Sequence, residues 1–175
     1  MPDGTPARAY LSLGSNIDPE VHLPAAVREL SHYGRVVRTS RVWQTPPVGF
    51  AGQSDYLNAA VLLETPLSPA DLRDNAIDAI ERRLGRVRDP QNVNAPRTID
   101  IDIVLYNREV IVIGNRRIPH PDLLTRAFVA IPVAELDPEA RHPETGQTLA
   151  EIAAALRAGV PEMHPRPDVQ LPCSP

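Results

Sequence analysis

Apolar and polar residues alternate through IDIDIVLY (99–106), so a strand there carries Ile99, Ile101, Ile103 and Leu105 on one face and Asp100, Asp102, Val104 and Tyr106 on the other. Three more segments read as strands: AYLSLG (9–14), the β-branched RVVRTSRVW (35–43) and YLNAAVLLET (56–65). After the first, Asp18 stands as an N-cap ahead of Pro19 and Glu20 and predicts a helix to about Gly34. A second helix has Ser68 as N-cap, Pro69 at its first position, Asp71 in a capping-box position and Gly85 to close it. Its predicted buried stripe is Leu72, Ala76, Ile77, Ile80 and Leu84, while Asp71, Asp74, Asp78 and Glu81 share an exposed face. Beyond the acid-bearing strand, the pattern predicts an edge strand over EVIVIG (109–114), a turn at IPHPD, and helices near 122–137 and 147–158.

The order strand, helix, strand, strand, helix, strand predicts an α+β protein with a ferredoxin-like βαββαβ core, an antiparallel sheet with helices packed on its faces. With 175 residues and 42% hydrophobic content the chain can fill one core. A single domain is expected over 1–160, followed by an irregular tail over 161–175 (PEMHPRPDVQLPCSP), which has five prolines and no period. No apolar run is long enough to span a bilayer and the first residues lack a signal-peptide pattern, so the expectation is a cytoplasmic protein with no membrane partner. A net charge of -4 and 4% aromatics argue against a nucleic-acid binder. The lone Cys173 excludes an internal disulfide framework. All 18 basic residues are arginine, which removes a Walker A lysine, a Schiff base or a lysine general base from consideration.

The chemistry concentrates around Asp100 and Asp102. Two residues along a strand span roughly 6.5 Å, so these like charges repel unless a cation or solvent lies between them. Mg²⁺ is commonly held by one or two carboxylates, with water and substrate phosphates completing its shell. Taken alone, the pair is equally compatible with two acids reaching solvent from a sheet edge. Between residues 82 and 97, however, Arg82, Arg83, Arg86, Arg88 and Arg97 face only Asp89, a local charge of +4 leading into the acids. Cations converging beside a carboxylate-bound metal suit a transferring phosphoryl group, and the guanidinium fork suits phosphate oxygens. Arg116, Arg117, His120 and Arg126 add further positive charge downstream. In TPPVGFAGQSDYLNAA, alternation puts Tyr56 and Asn58 on one face, an aromatic and an amide of the kind a flat heterocycle needs.

Together, LSLGSN, TPPVGFAGQSDYLNAA, GRVR, APRTIDIDIVLYN and IPHPDLLTRAFVAIPVAEL, in this order, resemble the 6-hydroxymethyl-7,8-dihydropterin pyrophosphokinase family over roughly residues 9–140. The resemblance implies pyrophosphoryl transfer from ATP to the pterin hydroxymethyl oxygen, with release of AMP, in folate biosynthesis. It implies two Mg²⁺ ions on Asp100 and Asp102, and Arg86 and Arg97 as catalytic arginines. ATP contacts would come from Asp78, Glu81, Arg88, Arg97, Ile103, Arg117, His120 and Arg126, and pterin contacts from Thr45, Pro46, Val48, Tyr56, Asn58 and Phe128. The expected partners are these two small molecules, on a monomer. One departure is RDPQNVNAPR (88–97), where many members carry an Arg-Trp pair on a closing loop; Arg117 stands where some have threonine and is a candidate to restore the charge. The competing reading is a pterin- or nucleotide-binding homologue impaired in catalysis by that altered loop.

Overall fold

A computed structural model describes residues 5–47, 52–88, 90–92, 95–159 and 162–173. Alternation in ARAYLSLGS produces β1 (Ala7–Ser15), which buries Ala9, Leu11 and Leu13 on one face and Tyr10 on the other. It lies between β4 (Tyr56–Thr65) and β5 (Asp100–Tyr106), antiparallel to both. The far side of β4 pairs with β2 (Arg35–Thr39) at one end and β3 (Trp43–Thr45) at the other. One sheet therefore runs β5-β1-β4-β3, and β8 (His164–Pro165) extends it beyond β3. The single strand expected over 35–43 is broken because Ser40 substitutes its side chain for a rung: Ala60 N donates to Ser40 Oγ at 2.8 Å, and Ser40 N donates to Ala60 O at 2.9 Å.

Helices cover both faces. On one, α1 (Pro19–Leu30) packs Leu23, Ala26, Val27 and Leu30 on the odd-numbered residues of β1 and β4. Asp18 does precede this helix, but in a left-handed conformation (φ 43°) with no side-chain cap, and the helix stops at Leu30, short of Gly34. The same face receives a continuous helical run made of α2 (Pro69–Asp71), a π-helical segment (Leu72–Ile77) and α3 (Asp78–Arg83). Ser68 Oγ accepts from Asp71 N at 3.1 Å, and Gly85 (φ 77°) takes the left-handed turn after the helix. The wider π turn lengthens the period, so burial recurs at 72, 76, 80 and also at 73, 77, 81. Glu81, expected on the exposed face, is consequently 2% exposed, and Leu84, expected in the stripe, is only partly buried.

On the opposite face α4 (Ala127–Leu136) and α5 (Leu149–Arg157) pack on Tyr10, Ala60, Leu62, Val104 and Leu105. A bulge at Val104 takes the β1 register from Leu11↔Ile103 to Tyr10↔Leu105. Leu105 thereby joins Val104 and Tyr106 turns to the α1 face, the reverse of strict alternation for both. Residues 111–118 form a separate hairpin, β6 (Ile111–Ile113) with β7 (Arg116–Ile118), rather than an edge of the main sheet. The helix expected from 122 begins instead as a 3-10 turn, Pro121–Leu124, interrupted before α4. Among the described residues no helix is long and apolar enough to cross a membrane.

Candidate functional site

The site arises from a change of polarity along the α4 face of the sheet. Tyr10, Leu62 and Val104 are capped by α4 and α5; two to four residues further along, the same face presents Ser12 and Gly14 of β1, Asn58 of β4, and Asp100 and Asp102 of β5. A cleft of about 230 Å³ opens there. Both carboxylates line it: they precede the bulge, so the alternation read from IDID holds where the chemistry needs it.

At one end the cleft is walled by Thr45, Pro46, Tyr56, Asn58 and Phe128. Asn58 Nδ2 donates to Thr45 Oγ1 at 2.8 Å, and both residues are buried, so the amide is held in one orientation. Gly14 lies directly beneath: a Cβ there would stand 3.3 Å from Asn58 Oδ1. Val48, expected at this end, lies outside the described residues.

At the other end Asp100 is gripped by two arginines. Arg86 Nη1 donates to its Oδ1, and Arg97 Nη1 donates to its Oδ2 at 2.5 Å. Arg97 is itself tied down by Asn16, which accepts Arg97 N at 2.8 Å and donates its Nδ2 to Gln53 Oε1 at 3.1 Å. The Asp102 carboxylate makes no hydrogen bond or ion pair among the described residues. The two acids therefore part company electrostatically. Burial pushes Asp100 up, but the Arg86 and Arg97 guanidiniums together outweigh it and hold this carboxyl below the usual range. Burial and then the neighbouring Asp100 charge push Asp102 up, more than His120, Arg73 and Arg116 pull it down.

Beneath the pair lies Glu81. Its carboxylate accepts from Arg86 Nη1 and Arg88 Nη2, each at 2.7 Å, and from the backbone N of Ile101 at 3.0 Å. Arg73 approaches Glu81 to 3.7 Å, donates to Ile101 O at 3.0 Å and pairs with Asp78 at 2.7 Å. Burial pushes the Glu81 carboxyl up against the pull of these donors. Ile101 is the residue between the two aspartates, so one buried ion network fixes both its backbone groups.

His120 and Arg126 line the cleft beside the acids, and His120 Nδ1 accepts from Asp122 N at 3.2 Å. Asp78, Glu81, Arg86 and Arg88 border a second, adjoining hollow, while Ile103 and Arg117 border a third that shares Asp102 and His120 with the cleft. Arg117 is paired with Glu144. The sequence pattern missed Ser12, Gly14, Asp122 and Arg73 as site residues. Ser12 and Gly14 sit in LSLGSN and needed the β1–β5 register to be found; Arg73 gave no signal, since only the π turn brings it inward.

Two carboxylates on one wall, one of them without an ion-pair partner among the described residues, offer hard oxygen donors to a divalent ion. Among the described residues no third His, Cys, Asp or Glu joins them in a cluster, which suits Mg²⁺ completed by water and phosphate better than a structural cage. The residues present therefore fit the ion.

Compared with known proteins, residues 10–138 match the family model described as 7,8-dihydro-6-hydroxymethylpterin-pyrophosphokinase (HPPK). The 2-amino-4-hydroxy-6-hydroxymethyldihydropteridine pyrophosphokinase of Pseudomonas aeruginosa is 38% identical over 151 residues, covering 85% of this chain and 91% of that protein. The Bacillus subtilis protein of the same name is 41% identical over 146 residues, covering 79% and 86%. Among solved structures, wild-type Plasmodium falciparum HPPK-DHPS superimposes with a TM-score of 0.68 at 15% identity, covering 87% of this chain. The chain spans only 45% of that structure, and the likeness bears on fold alone. With a family model covering most of its length and relatives this similar, the chain belongs to the 7,8-dihydro-6-hydroxymethylpterin-pyrophosphokinase family.

Proposed function

We propose that this protein is an ATP-dependent diphosphotransferase that moves a pyrophosphoryl group from ATP to the hydroxymethyl oxygen of 6-hydroxymethyl-7,8-dihydropterin, giving AMP and the pterin diphosphate in folate biosynthesis. The observation that carries this reading is the single cleft shared by an aromatic and amide wall and by two acids with their arginines. Tyr56 and Phe128 take the faces of the pterin, Asn58 its polar edge, and Thr45, Pro46 and Val48 shape the pocket. Arg86 and Arg97 meet the charge that spreads over the transferring group. Asp78, Arg88, Ile103, His120 and Arg126 accommodate the nucleotide. Glu81, with its carboxylate already engaged, serves ATP by holding Arg86 and Arg88 in place.

Asp100 and Asp102 would hold two Mg²⁺ ions, which when bound would neutralise polyphosphate charge and make the acceptor hydroxyl more acidic. His120 is not assigned as a base, since its Nδ1 already accepts the Asp122 N–H. The strand order β5-β1-β4 with β2 and β3 sharing the last place supports a ferredoxin-like core. The protein acts in the cytoplasm as a monomer.

Incubation with ATP, Mg²⁺ and hydroxymethyldihydropterin, followed by nucleotide analysis, is expected to give AMP in step with pterin diphosphate; ADP would mark an ordinary kinase and overturn the reading. Arg117 reaches the nucleotide only by exchanging Glu144 for phosphate. Arg117→Ala is expected to raise the KM for ATP about two- to fivefold, in the range of an exposed charge contact. An unchanged KM would take Arg117 out of the nucleotide site.

A further inference from the structure

The C-terminal segment lies beyond residues 10–138, which carry the family match, yet it is fastened to the pterin end of the cleft. His164 and Pro165 pair with Gln44 and Trp43 as β8 on β3, and Arg166 N donates to Val42 O at 2.8 Å. Further on, Val169 is buried in the main core and Leu171 packs against it. Apart from β8 the described residues of this segment are irregular, and they lie as a strap across the β3 edge of the sheet.

Arg166 is the polar centre of that strap. Its guanidinium is aligned by Asp168 (2.9 and 2.7 Å) and approaches Glu20 of α1 (3.3 Å), leaving Nη1 to donate to Gln44 Oε1 at 3.0 Å. Gln44 passes the contact on, its Nε2 donating to Asp55 Oδ2 at 2.7 Å. Asp55 is the last residue before Tyr56, and Gln44 immediately precedes Thr45; the pair Thr45↔Tyr56 is a rung of the β3–β4 ladder. Thr45 and Tyr56 line the cleft, whereas Gln44, Asp55 and Arg166 border a groove without those two residues. Arg166 therefore lines neither substrate pocket; it holds the side chain of Gln44, which in turn holds that of Asp55, the two residues that flank the Thr45–Tyr56 rung.

We propose that Arg166 is a positioning residue for the pterin pocket: through Gln44 and Asp55 the C-terminal strap locks the Thr45–Tyr56 rung, so that the pterin-facing side chains are set before substrate arrives. This rests on the assignment of that end of the cleft to the pterin. Preorganisation of this kind lowers the cost of binding without adding a contact to the ligand. The strap's Arg166 makes its side-chain bonds to Asp168, Glu20 and Gln44, whereas the nucleotide end is built on Arg86, Arg97 and the acid pair.

The test uses the full chain and measures KM for each substrate, with Kd for the pterin and for ATP by calorimetry. Arg166→Ala and Gln44→Leu are each expected to raise KM and Kd for the pterin about five- to tenfold, leave the ATP values within about twofold, and combine non-additively, as members of one network do. Gln44→Leu keeps the Arg166–Asp168 and Arg166–Glu20 contacts, so it still tests the relay if Arg166→Ala folds poorly. Loss of melting temperature with both substrates weakened alike, or with neither changed, would overturn the proposal and leave the strap a purely structural clasp. AMP formation by the unmodified protein is measured alongside: its absence would defeat the proposed reaction, whereas its presence with an unaltered pterin KM in both variants defeats only the role of Arg166.

Discussion

Asp102→Ala is expected to lower turnover by about three orders of magnitude or more, while the melting temperature of the free protein stays level or rises. The two effects have one cause. In the free protein Asp102 is half-buried beside Asp100 with no ion-pair partner among the described residues, so its charge costs stability and its carboxyl is pushed up. A raised carboxyl is tolerated best when protonated, so this penalty is absent at low pH and appears as pH rises through the shifted range. The gain in melting temperature from Asp102→Ala should therefore be largest near neutrality and vanish in acid. Asp100→Ala is expected to lose comparable rate but also stability, because Arg86 and Arg97 lose the carboxylate they share. Calorimetry of both variants with and without Mg²⁺, beside steady-state rates, checks the contrast. Wild-type turnover in either variant would remove the acid pair from the reaction.

Glu81→Ala should damage the fold and the chemistry together. It leaves Arg86, Arg88 and Arg73 without their common carboxylate and Ile101 N–H without an acceptor, in a place only 2% exposed. Breaking a buried pair from one side costs roughly 3–5 kcal/mol. For a chain of this size that corresponds to a melting temperature lower by roughly 6–20 °C. Turnover, measured well below that temperature, is expected to fall at least about tenfold, since Arg86 and the strand between the aspartates lose their anchor. Glu81→Gln, which retains an acceptor for Ile101 N–H but not the charge, should fall between. A Glu81→Ala protein with unchanged melting temperature and rate would show that the arginines are held by other means.

Much of the site was legible because it depends on short-range periodicity. Period two alone puts Asp100 and Asp102 on one face, and Tyr56 and Asn58 likewise, wherever the strands end up in the sheet. Ordered motifs did the rest for Arg86, Arg97, His120, Arg126 and Phe128, which come from separate elements and share no local pattern. Where the reading failed, a backbone irregularity had shifted the phase. The π turn in residues 72–77 buried Arg73 and Glu81, the bulge at Val104 exchanged the faces of Leu105 and Tyr106, and the Ser40 side chain split one strand into two.

By itself, then, the sequence determined that two acids share a strand face, that arginines lead into them, and which reaction family these motifs belong to. The tertiary structure decided which acid is ion-paired: Arg97, three residues away, and Arg86, fourteen residues away, both turn onto Asp100, and among the described residues none pairs with Asp102. It also decided that Glu81 lies inside and that the proline-rich end is a strap on β3. The physical reason is that side-chain direction along a regular strand is a local property of the backbone, whereas desolvation and ion pairing are set by whichever distant residues close over a group once the chain has packed.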